Sequence, residues 1–370
     1  MNKRFLIAVL TLICLFPTVV HAEITIPKDA LDIQIPDSDN VFTDSLDFYA
    51  IASALANAEF KIEPSTLIEK ITSALFDELK TGMGIFFTVL SLAMLCAIVS
   101  AMQTSFGKDG VNDLVFFICY ALAAVACIKA LQDAMTLTSR TVSDVYTLTA
   151  KVSPVLMGFA FAAGHVSAAA LFKPVLYSCV YIMQYILKYF IMPGIGFAAA
   201  ISIVSNLNTS PSLTNLSNTA GGIIKSVLGT SAALFVAISS IYGFVAPSID
   251  AITAKTAKLA ANTFIPVVGG AMGDAIELAG ASAKLIKNSV GASLIVIIIV
   301  MSAYPLLKLA ALLIIFRFAA ALTEPITDKR FTSLINSVAD TLQLTVAAVT
   351  LSSLTVIVVT AIVIAATQGG

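Results

Sequence analysis

Apolar residues fill long blocks of this chain, and short polar stretches separate the blocks. A hydrocarbon core of about 30 Å needs some 20 helical residues, so each block of that length predicts a membrane-crossing helix. Such blocks cover 83–105, 113–131, 153–172 and 226–246, with a longer one at 338–366. Two more are long and interrupted. Residues 174–205 contain Pro193, Gly194 and Gly196, and residues 292–322 contain Pro305. A straight helix over either would be about 45–50 Å long. Each is therefore expected to tilt, kink or break into a re-entrant pair. Counted as one broken span apiece, they bring the expectation to an all-α, polytopic membrane protein of seven spans.

The first 82 residues follow another pattern. Lys3 and Arg4 precede a short apolar run from Phe5 to Phe16, Pro17 ends it, and Val20-His21-Ala22 places small residues at −3 and −1 of a signal-peptidase site. Residues 1–22 thus read as a cleaved signal peptide. The residue before Cys14 is the large Ile13, which argues against a lipoprotein signal. Residues 23–82 read as an acidic extracytoplasmic segment: an extended arm, a helix over Leu46–Phe60, and a second helix after Pro64. Thr66 and Glu69 stand at capping-box spacing in that second helix. Leu67, Ile68, Ile71, Leu75 and Leu79 share one of its faces, which suits a packed pair or an amphipathic helix on the membrane. Residues 83–370 form the multi-span membrane domain.

Composition supports this division. Apolar residues make up 58% of the 370 and charged residues 12%, too little charge to cover a soluble protein of this size. The net charge of −1 gives no basic face for nucleic acid. Residues 23–82 hold twelve acids against four lysines, while the rest holds ten acids against seventeen bases. Acidic and basic parts are expected in different compartments. With 23–82 outside, the basic stretch 247–291 falls in the cytoplasm. The weak point of that scheme is 323–337, which falls outside despite Lys329 and Arg330.

The stretch 247–291 reads as an ordered helical hairpin. A helix over Ile249–Asn262 is followed by a break at Pro266, Gly269 and Gly270 and a second helix from about Met272. Asp274 and Glu277 open that helix and Lys284 and Lys287 close it, the order a helix dipole favours. Ala275, Ala279 and Ala283 form a small-residue ladder suited to close packing, so the hairpin is expected to dock on or dip into the membrane domain.

Four segments carry a resemblance. They are Phe264-Ile265-Pro266-Val267-Val268-Gly269-Gly270, Leu285-Ile286-Lys287-Asn288-Ser289-Val290-Gly291, Tyr304-Pro305-Leu306-Leu307-Lys308 and Ala319-Ala320-Ala321-Leu322-Thr323-Glu324-Pro325-Ile326. With the order of signal, acidic segment and spans, they resemble the stage III sporulation protein AE family of endospore-forming bacteria. The resemblance implies a component of a secretion or feeding channel between mother cell and forespore, needed for late forespore gene expression. It also implies partners among the membrane proteins of the same operon, a forespore-side partner, and a place in the mother-cell membrane around the forespore.

Chemistry-bearing motifs are sparse. The sequence has no H-E-x-x-H, G-x-S-x-G or G-x-x-x-x-G-K-[ST]. Met272-Gly273-Asp274 lacks the first glycine of the G-x-G-D of intramembrane aspartyl proteases, and the five cysteines are not at redox or zinc spacing. The expectation is a protein that is no enzyme and needs no cofactor or metal. Charges within apolar blocks are the better lead, because one at midplane costs about 2.5–3.5 kcal/mol. Lys129 lies near a block end and is expected to snorkel. Lys188 lies five residues before Pro193, Lys308 three after Pro305, and Arg317 nine beyond Lys308. Charges at interrupted helices mark a candidate intramembrane polar site, which keeps a self-contained secondary transporter as the alternative function.

Overall fold

The structure, a computed structural model, describes residues 33, 35, 47–57, 64–106, 110–163, 173–207, 211–264 and 269–365. Only the backbone is described at 64–68, 99–106, 110–116, 173, 207, 211–214, 243–264 and 269–280. The signal peptide 1–22 and Pro266 lie outside the described residues. Among the described residues the regular elements are all helical: α1 (Phe48–Ala56), α2 (Pro64–Phe106), α3 (Gly110–Ala162), α4 (Lys173–Ile186), a π turn (Leu187–Ile191), α5 (Met192–Leu207), α6 (Pro211–Phe264), α7 (Gly269–Thr323) and α8 (Lys329–Ala365).

Among the described residues six helical stretches are long and apolar enough to cross a membrane: Glu69–Ile98, Phe117–Ala162, Pro174–Asn206, Asn215–Tyr242, Ala281–Thr323 and Lys329–Ala365. The chain is an all-helical, multi-pass membrane protein. The expected block 113–131 and residues 153–162 of the next lie on one helix, α3. Residues 132–152, which lie between those two blocks and carry Asp133, Arg140, Asp144 and Lys151, are helix too. Ala134, Thr138, Val142, Val145, Leu148 and Val152 recur there at helical spacing and are buried. A polar outer face thus rides on an apolar inner stripe, and no residue breaks the helix. At 53 residues α3 is about 80 Å long.

Local chemistry accounts for several boundaries. Asp47 caps α1, its carboxylate accepting from Tyr49 N–H at 3.0 Å. Pro64 opens α2, where its missing N–H loses nothing. α2 then runs unbroken from the amphipathic segment into the first expected span, and Phe76 is 63% exposed. Thr323 ends α7, and in the following turn Thr327 N–H donates to Thr323 O at 2.9 Å. Asp328 starts α8 by accepting from Arg330 N–H at 2.8 Å.

The interrupted segments stay helical. Pro193 has no N–H, and directly before it the Met192 N–H bonds to Leu187 O, one residue further back than in an α-helix. Residues 174–206 are one helix with a π turn, not a re-entrant pair. Pro305 and Pro154 sit inside α7 and α3 with helix on both sides.

The core is the antiparallel pair α7 and α8, which are 61% and 56% buried over their most apolar stretches, against 22% for α2 and 11% for α6. One apolar cluster joins α1, the second half of α3, α4, the π turn, the start of α5, α6, the middle of α7 and the end of α8. The other joins α2, the first half of α3, the end of α5, the last part of α7 and the first half of α8. α8 carries buried hydroxyls at Thr341, Thr345, Ser352, Ser353, Thr355 and Thr360. Most donate back to a carbonyl three or four residues earlier, which satisfies them without water.

Candidate functional site

A cleft lies where α3 runs antiparallel to α4, the π turn and α5. Tyr120 Oη donates to Ile203 O at 3.4 Å near one end of the pairing. Near the other, the rings of Tyr146 and Tyr181 stand 5.7 Å apart, and Ser153 Oγ and Tyr181 Oη are 2.6 Å apart. Midway the helices come close, because a Cβ built on Gly196 would lie 2.8 Å from Met135 Cε. Beside that contact is an open-sided cleft of about 750 Å³. One end holds Ser139, Arg140 and Lys188, Thr136 and Gln132 follow along α3, and Ile128, Leu131, Ala200, Ile203 and Val204 line the rest.

Lys188 is exposed and reaches the cleft from the π turn. A π turn carries an extra residue, so it turns the side chains ahead of Pro193 relative to those behind it. Lys188 Nζ lies 5.7 Å from the Tyr189 ring centre, a distance suited to a cation–π contact. On its other side a smaller cleft of about 420 Å³ is lined by Tyr146, Tyr181, Tyr185 and Tyr189. Arg140 is near the carboxylate of Asp144, one turn further along α3.

The other expected site residues fall elsewhere. Neither cleft that Lys188 lines includes Lys308 or Arg317. Lys308 is half-buried on α7, with Nζ 5.8 Å from the Tyr304 ring one turn earlier. Arg317 donates from Nη2 to Asp340 Oδ1 at 2.8 Å and to Gln343 Oε1 at 3.1 Å, joining α7 to α8. Lys129 is exposed on α3. In the hairpin, α6 ends at Phe264 and α7 begins at Gly269, so Gly270, Ala275 and Ala279 are on the first turns of α7. Ala283 is buried.

Two features escaped the sequence reading. Lys284 and Lys287 were placed in the last turn of a hairpin helix, but α7 continues through them to Thr323. Lys287 is fully buried and donates from Nζ to Val363 O at 3.1 Å, in the last turn of α8. Four residues on, a Cβ at Gly291 would lie 2.8 Å from Ile364 Cγ1, so the missing side chain lets α8 approach. The Tyr177 and Thr360 hydroxyls are also buried here, close to each other. Further along α8, Gln184 and Ser352 clasp each other: Gln184 Nε2 donates to Ser352 O at 3.0 Å and Ser352 Oγ to Gln184 Oε1 at 2.8 Å. The signal that could have found Lys287 was its setting between two apolar runs with a small residue one turn on.

Residues 46–367 match the family model of stage III sporulation protein AE. The chain is similar to Stage III sporulation protein AE of Bacillus subtilis (strain 168), with 26% identity over 270 residues, 73% of this chain and 68% of that protein. No solved structure matches it.

Proposed function

This chain belongs to the stage III sporulation protein AE family, and from that premise we propose that it is a membrane component of a multiprotein secretion or feeding channel between mother cell and forespore. Its role in sporulation follows from the family, and its multi-pass character from the six apolar helices. The channel assignment is supported by the family match over 46–367, the observation that carries this reading. In it the protein is a non-enzymatic component with no cofactor. It sits in the mother-cell membrane around the forespore and assembles with other membrane proteins of its operon and a forespore-side partner. The α6–α7 hairpin around Pro266 is the docking element in this reading, with the Ala275, Ala279 and Ala283 ladder as its close-packing face.

Affinity isolation of the tagged full chain from sporulating cells tests this. Other membrane proteins of the operon should co-isolate, and Ala279→Leu should weaken their recovery while the protein still inserts. The second reading, a self-contained transporter, is favoured by Lys188 at a π turn, because interrupted helices with charges are where transporters hold solutes. Purified protein in liposomes that moves a solute without partners would establish that reading and overturn the first.

A further inference from the structure

We propose that the cleft between α3 and α5 is a binding site for an anionic phospholipid, with the headgroup phosphate at Arg140 and Lys188 and an acyl chain along the apolar wall. The proposal is independent of the channel assignment. It rests on the shape, charge and level of the cleft.

The shape is that of an amphiphile. Arg140, Ser139 and Lys188 stand at one end, Thr136 and Gln132 follow along α3, and the wall opposite them on α5 is apolar. From Arg140 to Ile128 along α3 is about 18 Å, and from Lys188 to Val204 along the helix opposite is about 24 Å. One leaflet of a core about 30 Å thick is about 15 Å deep. The cleft therefore fits one headgroup and one leaflet of chain. It is open along its side, so a lipid can enter laterally from the bilayer.

The charge selects the headgroup. Arg140 and Lys188 both line the polar end, and no Asp or Glu lines the cleft. Asp144, one turn beyond Arg140, and Asp133, next to Gln132, are on α3 but do not line the cleft. An arginine fork and a lysine suit a phosphate diester, while the hydroxyl of Ser139 can donate to one of its remaining oxygens.

The level fits a membrane–water boundary. Tyr146, Tyr185 and Tyr189 are 43%, 64% and 60% exposed around Lys188. Tyrosines gather where one end of the ring meets hydrocarbon and the hydroxyl meets water.

The test uses the full chain in nanodiscs of phosphatidylcholine doped with phosphatidylglycerol, with retained lipid read by native mass spectrometry. Phosphatidylglycerol should be retained in preference to phosphatidylcholine, and excess inorganic phosphate should not displace it. Arg140→Gln with Lys188→Gln should lower its retention about tenfold or more, the scale of two surface cations. Ala200→Phe fills the apolar part without touching a charge and should lower retention as well, so the test stands even where the double variant folds poorly. Lys225→Gln removes an exposed lysine on α6 outside the cleft and should change nothing. Equal retention of the two lipids, displacement by inorganic phosphate, an effect of Lys225→Gln as large as that of the pair, or normal retention in Ala200→Phe would each overturn the site.

Discussion

Lys287 shows how far one side chain can depart from the compartment its charge suggests. Its ammonium is buried and bonds to Val363 O, in the last described turn of α8, where a carbonyl lies at the negative end of the helix dipole. A buried cation persists only where such acceptors meet it. Lys287→Ala removes a long packed stem as well as the donor, with an expected loss of about 2–4 kcal/mol. Lys287→Met keeps the volume and should cost less. Thermal unfolding in detergent should rank wild type above Met and Met above Ala; a Met variant as unstable as the Ala one would mean the stem contributes nothing. Arg317 and Asp340 pose a different question, being 43% and 54% exposed. In water such a pair is worth at most about 1 kcal/mol, but against lipid an unpartnered arginine costs about 2.5–3.5 kcal/mol. Asp340→Asn is expected to reduce the inserted protein, and the swap Arg317→Asp with Asp340→Arg to restore it. Wild-type levels in Asp340→Asn would place the pair in water.

Pairs of helices are held by what is missing as much as by what is present. Gly291 lies against Ile364 and Thr360, while a Cβ on Gly229 of α6 would meet nothing within 4 Å. The same substitution at the two sites should therefore have opposite signs. Gly229→Ala gains about 0.5–1 kcal/mol from helix propensity. Gly291→Ala gains that too, but must shift Ile364 and loses about 1–3 kcal/mol to overpacking. Denaturation of both variants in one detergent decides the matter, and equal gains would mean that α7 and α8 are not in close contact at Gly291. The π turn is the other device at this scale. It lets the chain keep a helix at Pro193 and turns Lys188 toward the cleft.

The antiparallel pair α7 and α8 sets the topology of the whole molecule. Both are long enough to cross a bilayer, and only the turn Glu324–Asp328 joins them. Hence that turn and the far end of α8 at Ala365 must face opposite compartments. Cysteines placed at Thr327 and Ala365 of a cysteine-free chain should react with an impermeant thiol reagent from opposite sides of the membrane. Labelling of both from one side would mean that one of the two helices does not cross. The charge pattern left 323–337 as the ambiguous stretch, because Lys329 and Arg330 pull against the order of spans. In the structure those two residues open α8, so their side of the membrane is the turn's side.

The class of the protein was legible in the chain itself: apolar blocks of about twenty residues can satisfy their backbone in lipid only as helices. The helix within 46–60, the helix that starts at Pro64 and the family resemblance rest on short, local patterns that a sequence displays directly. Tertiary structure decided what depends on the opposite side of an interface. Residues 132–152 carry enough charge to read as a loop, yet their buried stripe keeps them helical because α4, α7 and α8 supply the other face. Lys287 reads as a surface charge until α8 brings a carbonyl to it. Arg140 and Lys188 are 48 positions apart and become one end of one cleft only when α3 and α5 run antiparallel. A sequence specifies each helix's own period and ends, but which faces meet depends on side-chain volumes from distant segments, and those are compared only when the chain packs.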